Sequence, residues 1–124
     1  MTKKRIDSHS TEFGLWLREQ PEIDSALGYI ATNIDFMWRN YKSKLWMLIE
    51  EKRYMSQVKK WQMQMFKLID MFCSADKNYR GFHVLTFENS SPDDGKIYLD
   101  GAGITKRELL DFLRFTKGAE DETE

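Results

Sequence analysis

Cysteine occurs once in the 124 residues, at Cys73, and histidine twice, at His9 and His83. A single thiol excludes an internal disulfide. One thiol and two imidazoles are too few for a closed zinc centre of the usual nitrogen–sulfur type. Long hydrophobic runs are lacking too, since no stretch approaches the ~20 apolar residues that cross a bilayer. The start, Met1-Thr2-Lys3-Lys4-Arg5-Ile6-Asp7, carries no apolar secretion segment. These absences point to the cytoplasm and to no membrane partner. Charge of one sign is scarce as well. The net value is −1, which neither favours nor excludes nucleic acid.

Local charge says more. Between Arg39 and Lys67 stand Arg39, Lys42, Lys44, Lys52, Arg53, Lys59, Lys60 and Lys67 against Glu50 and Glu51, a local net of +6. The end of the chain carries Glu120, Asp121, Glu122 and Glu124. A basic middle with an acidic tail fits a phosphate-binding face, although bases on a helix and a hairpin can also be merely solvated.

Residues 1–9 read as a flexible start, 10–116 as one domain and 117–124 as a disordered acidic tail. The first helix is expected from about Ser10 to Gln20, capped by Ser8 or Ser10 and stopped by Pro21, with Phe13, Trp16 and Leu17 on its apolar face. A short helical turn over 21–27 is compatible with Pro21 at its start. Strands are expected at Gly28–Thr32, Ile34–Trp38 and Leu45–Glu51, the last two paired as a hairpin around the polar segment 39–44. Residues 54–73 carry the clearest helical periodicity, through Met55, Val58, Gln62, Met65, Phe66, Ile69 and Phe72. Strands at 81–87 and 96–99 follow, separated by a loop rich in turn residues, and Thr105 caps a last helix over 106–115. A helix between the third and fourth strands allows those two to be parallel. The expected fold class is α/β, a central mixed β-sheet flanked by helices.

The run Leu45-Trp-Met-Leu-Ile-Glu-Glu-Lys52 ends an apolar strand in charge. Strand alternation puts Glu50 and Lys52 on the side of Trp46 and Leu48, and Glu51 on the other side with Met47 and Ile49. Asp35 lies on the partner strand of the expected hairpin. Two carboxylates suit Mg²⁺, with Mn²⁺ as substitute, and the ion supplies Lewis-acid chemistry at a phosphoryl group. A neighbouring amine can orient or deprotonate an attacking water, or stabilise developing charge. Without Asp35, Glu50 and Lys52 would make an ion pair and no more.

Ile34-Asp35, a hairpin, Glu50-Glu51-Lys52 and a following helix together resemble the PD-(D/E)XK nuclease superfamily, whose restriction-endonuclease-like core has the order α-β-β-β-α-β. The resemblance covers about residues 10–87. Asn33-Ile34 stand where the superfamily's proline would be. The resemblance implies Asp35 and Glu50 as metal ligands and Lys52 as the catalytic lysine. It offers Glu12 as a further ligand from the first helix, although a first-turn acid also suits the helix dipole. Gln62-Met63-Gln64-Met65-Phe66 partly matches a Gln-x-x-x-Tyr motif of the exonuclease branch. Gln62 is therefore either a substrate contact or a buried amide bonded to backbone.

The expected activity is Mg²⁺-dependent hydrolysis of phosphodiester bonds in DNA, structure-selective, as in phage or host DNA processing, with Asp35, Glu50 and Lys52 as the catalytic set. The location would be the cytoplasm of a bacterium or a phage-infected host. Arg39, Lys42, Arg53, Lys59 and Lys60 are candidates for the phosphate backbone, and Trp61 and Tyr41 for stacking on bases. A homodimer would double the basic face and supply two sites. The alternative is a non-catalytic nucleic-acid- or protein-binding module on the same fold, in which Glu50–Lys52 is a salt bridge.

Overall fold

An apolar run becomes a strand only where a neighbour takes up its backbone groups, and this condition decides which expected strands form. The computed structural model describes residues 12–116. Contacts divide the chain into two units, Met1–Asn33 and Ile34–Glu124. His9, the expected caps Ser8 and Ser10, and the acidic tail lie outside the described residues.

In the first unit, helix α1 spans Glu12–Arg18, followed by single 3₁₀ turns at Pro21–Ile23 and Ser25–Leu27. The Asp24 carboxylate accepts the Ala26 N–H, and Gly28, at φ 105°, closes the second turn by donating to the Ser25 carbonyl. None of these elements has a buried residue. The strand expected at Gly28–Thr32 does not form. Gly28 is held in the left-handed region and no ladder takes up the residues after it. Two strands rather than three therefore precede the second helix, so the core order α-β-β-β-α-β is corrected at that point.

The second unit is an α/β fold, a five-stranded mixed sheet flanked by helices. Strands β1 (Phe36–Arg39) and β2 (Trp46–Lys52) pair antiparallel, with Phe36 opposite Ile49 and Arg39 opposite Trp46. Asn40 folds their connection, its Oδ1 accepting the N–H groups of Lys42 and Ser43 at 2.8 and 3.0 Å. Helix α2 (Lys60–Cys73) crosses to β3 (Tyr79–Phe87), which lies parallel to β2 as expected. Strands β4 (Ile97–Leu99) and β5 (Ala102–Ile104) extend the sheet antiparallel, and α3 (Lys106–Leu113) closes the unit. The sheet order is β1-β2-β3-β4-β5.

Each face carries its own helix. On one, Met47, Ile49, Leu85, Phe87 and Ile97 pack with Leu109 and Phe112 of α3. Thr105 caps α3 as expected, in a full capping box with Glu108. On the other, Phe66 of α2 is fully buried and stacks on Phe82 with ring centroids 4.4 Å apart. Asp70, one turn further along α2, accepts hydrogen bonds from the Tyr79 hydroxyl at 2.6 Å and the Phe82 N–H at 3.1 Å. Tyr79 and Phe82 reach the same helix although three residues apart, because the β2–β3 register shifts between Trp46 and Leu48. Gly81 supplies that bulge at φ 105°, and a Cβ there would come within 3.0 Å of the His83 ring.

Several expected boundaries move. Helix α2 starts at Lys60, not 54. Tyr54 and Met55 adopt left-handed conformations and give their N–H groups to the Asn89 and Phe87 carbonyls instead. Phe72, assigned to the inner stripe of α2, is exposed. Trp38 stands on the edge strand with its indole N–H donating to the Leu113 carbonyl at 2.7 Å. Trp46 is partly buried, its ring tilted on Tyr79 at 4.7 Å.

His83 ties β3 to the β4–β5 turn. Its Nδ1 lies 2.8 Å from Asp100 Oδ2 and its Nε2 2.8 Å from the Arg80 carbonyl. Both partners are acceptors, so both ring nitrogens are satisfied only in the imidazolium form. Burial pushes the imidazole pKa down, but the Asp100 carboxylate and the Arg80 carbonyl, with Asp70 beyond, carry it above its ordinary value. A raised folded value favours the protonated native state. The stabilisation is therefore complete below about pH 6.5 and is lost as pH rises through the folded value. Denaturant midpoints between pH 5.5 and 8.5 should fall across that window in the native sequence, and His83→Leu should flatten this part of the profile.

Candidate active site

Side chains on β2 alternate as the sequence predicts. Glu50 is only 4% exposed, while Glu51 is half-buried on the opposite side, 3.8 Å from Arg53 Nε. Lys52 Nζ lies 3.5 Å from Glu50 Oε2. Glu50 Oε1 is buried and has no hydrogen-bond partner among the described residues. Burial raises the Glu50 pKa first, and the Asp35 carboxylate adds to this. The Lys52 ammonium and the Asp35 backbone oppose both without cancelling them.

Asp35 is fixed by the hairpin. The β1–β2 pairing ends with Phe36 opposite Ile49, and Asp35, in the bend just before β1, lies near enough to Glu50 for its carboxylate to raise the Glu50 pKa. Asp35 Oδ2 accepts the Glu51 N–H at 2.8 Å, which continues the ladder through a side chain. Two carboxylates and an ammonium thus converge at the end of one hairpin. The left-handed Tyr54 and Met55 follow directly on this end, and such conformations are uncommon for non-glycine residues and concentrate at functional sites.

A helix that crosses between parallel strands runs back over them. Phe66 lies on Phe82 and Asp70 on Tyr79, so α2 descends from the β2 and β3 carboxyl ends toward their starts. Its first turn, with Lys59, Lys60, Trp61 and Gln62, accordingly sits at the Glu50–Lys52 end. Gln62 is partly buried and hydrogen-bonded or otherwise partnered. Arg53, Lys59 and Lys60 are exposed there. Arg39 and Lys42 are exposed as well, but Arg39 faces Trp46, four residues before Glu50. At about 3.3 Å per residue that is roughly 13 Å away. The structure therefore divides the expected basic set between two ends of the hairpin. Tyr41 shares the far end and Trp61 the near one.

The donor chemistry fits a divalent cation. The two acids are near one another, one buried oxygen has no partner among the described residues, and Mg²⁺ takes oxygen ligands from one or two carboxylates while keeping waters. Among the described residues no group of three or more His, Cys, Asp or Glu gathers as a ready cation cage, so Asp35 and Glu50 would be the protein's share. Glu12 opens α1 in the first unit and is exposed.

A carboxyl raised in the native state favours folding when protonated. Its contribution is complete below about pH 4.5 and is lost as pH rises through the folded value. Glu50→Gln, which removes this titration, should therefore lessen the fall of the thermal midpoint as pH rises above about 4.5 in the absence of divalent metal. A pH profile equal to that of the native protein would contradict the raised carboxyl.

Sequence reasoning missed Thr86 and Tyr98. Parallel register sets Thr86 beside Lys52, and antiparallel register sets Tyr98 beside Thr86, so a row of polar groups continues the site across the sheet. No single segment of sequence carries that signal, because the row exists only once β3 and β4 are paired. Comparison with protein-family models, with curated proteins and with solved structures gives no match.

Proposed function

We propose that the protein is a divalent-metal-dependent nuclease that hydrolyses phosphodiester bonds in DNA, with Asp35, Glu50 and Lys52 as its working residues. One observation carries the reading. A glutamate buried at a strand end has an oxygen with no hydrogen-bond partner among the described residues, with a second carboxylate nearby and an amine 3.5 Å from its other oxygen. A charge buried for structure alone would be fully paired, since an unsatisfied buried carboxylate oxygen is destabilising.

When bound, Mg²⁺ supplies charge neutralisation and Lewis acidity at the phosphate. Asp35 and Glu50 would hold it. Asp35 is kept in place by the Glu51 N–H, which leaves its carboxylate little freedom to swing. Lys52 orients the attacking water or offsets charge on the phosphorane-like transition state, and its position is set by Glu50. Arg53, Lys59 and Lys60 stand at the same end of the sheet for the phosphates on either side.

Two measurements test this. Mn²⁺ should raise the thermal midpoint of the native protein, since a ligand bound only by the folded state must do so, and should raise it less in Asp35→Asn. Linear, branched and single-stranded DNA should be cut in Mg²⁺ or Mn²⁺ but not in EDTA. Metal-independent cutting that persists in Asp35→Asn would overturn the assignment.

A further inference from the structure

We infer that the cleft beside β4 and β5 binds an unstacked nucleobase, so that the substrate is single-stranded nucleic acid; this deepens the nuclease reading and rests on it. The row that begins at Lys52 passes through Thr86 and Tyr98 to Gly103, each opposite the next in the sheet. Two inter-strand steps of about 4.8 Å put Tyr98 about 10 Å from Lys52. At 3.4 Å per stacked nucleotide this is a reach of about three nucleotides, and fewer in an extended strand.

Tyr98 and Gly103 line an open cleft of about 550 Å³, with Pro92, Lys96, Ile104 and Lys106 around them. That volume lies within the range of small-molecule sites. Gly103 has ordinary strand backbone, so its conformation does not call for glycine. A Cβ there would stand 3.8 Å from the Tyr98 ring. What the glycine does is leave the space over that ring free, since any longer side chain would lie on the aromatic surface.

The polar surroundings narrow the occupant. The α3 N-terminus already has its own cap in Thr105 and Glu108, so it does not call for an anion. Asp94 is taken up by the Ser90 hydroxyl and the Ser90 and Ser91 N–H groups, and Asp93 by Lys106 at 3.1 Å. Among the described residues the Lys96 ammonium, on the strand position just before β4, makes no ion pair, while the Lys96 N–H donates to Glu88 Oε1 at 2.9 Å. An aromatic ring with an open face beside a lysine takes a flat heterocycle attached to a phosphate. Stacking of this kind tolerates any base and contributes about 1–3 kcal/mol per base. Bases inside a duplex are already stacked and cannot enter.

The experiment is fluorescence anisotropy in EDTA with a labelled 12-nucleotide oligothymidine and a blunt duplex of equal length. The native protein should bind the single strand more tightly. Tyr98→Ala should weaken that binding about 5- to 150-fold, the range that follows from the stacking energy. Tyr98→Phe should retain it. Gly103→Val, which covers the ring on a backbone that accepts valine, should weaken it with an unchanged thermal midpoint. Equal affinity in Gly103→Val and the native protein, tighter binding of the duplex, or no binding of the single strand would each overturn the inference. Metal-dependent cleavage is read separately. If it fails while the Tyr98 pattern holds, the nuclease reading alone falls; if it persists while binding ignores Tyr98 and Gly103, the cleft alone falls.

Discussion

Lys52→Ala should lower the rate of metal-dependent phosphodiester cleavage by about 10²- to 10⁴-fold, the loss expected when a positioned proton-transfer or charge-stabilising group is removed. The Lys52 ammonium is largely buried beside Glu50, so water cannot take its place with the same orientation. The effect should fall on kcat more than on KM, because Arg53, Lys59 and Lys60 would still contact the phosphate backbone. Lys52→Arg is informative beside it. The guanidinium keeps the charge but cannot shed its proton, so rescue by arginine would mean electrostatic stabilisation, and failure of rescue would mean proton transfer. Single-turnover cleavage of a labelled oligonucleotide by the three proteins decides the matter. Equal rates in the native protein and Lys52→Ala would remove Lys52 from the chemistry.

Phe66→Ala should cost about 3–5 kcal/mol of stability, the usual range for a buried phenylalanine emptied to alanine. Phe66 has no exposed surface and gives α2 its stacked contact with the sheet at Phe82. The remaining anchors on that face, the Asp70 hydrogen bonds to Tyr79 and Phe82, lie toward the other end of the helix. The helix start that brings Lys59, Lys60 and Gln62 to the site would then lose its one fully buried side chain among the described residues of α2. Urea midpoints measure the loss. A cost below about 1 kcal/mol would mean that α2 is fastened elsewhere.

Much of this arrangement was legible in the sequence, and the exceptions have physical causes. Alternation alone separated Glu50 and Lys52 from Glu51, because period two holds wherever a strand is buried on both faces. The parallel pairing of β2 and β3 followed from a helix lying between them. The strand expected at 28–32 looked convincing through Ile30 and Thr32, yet β-branched residues need a partner strand, and Gly28 turns the backbone before one could be met. Strand β5 was missed because Ala-Gly-Ile has almost no strand character of its own. Its signal was the preceding Asp100-Gly101, both at positive φ, the two-residue reverse turn that joins paired strands. The start of α2 was misplaced because Tyr54 and Met55 fit a helical stripe and are drawn off by carbonyls of the β3–β4 region. Arg39 and Lys42 looked like part of the site because sequence distance does not show that a hairpin carries its turn away from its open end.

Strand β2 has a near neighbour in sequence on one side and a distant one on the other. Asp35, Glu50 and Lys52 all belong to a single hairpin, whose closure is local and takes about 1–10 μs in isolated hairpins. The β2–β3 ladder must wait for a helix to fold and cross, and that longer loop closure slows parallel pairing. The proposed chemical residues are thus set by a local hairpin, whereas Thr86 and Tyr98, on the β3–β4 pair, join them only through the slower β2–β3 pairing. A folding intermediate holding the hairpin alone would already have its acids side by side and no surface on which to seat a strand of nucleic acid.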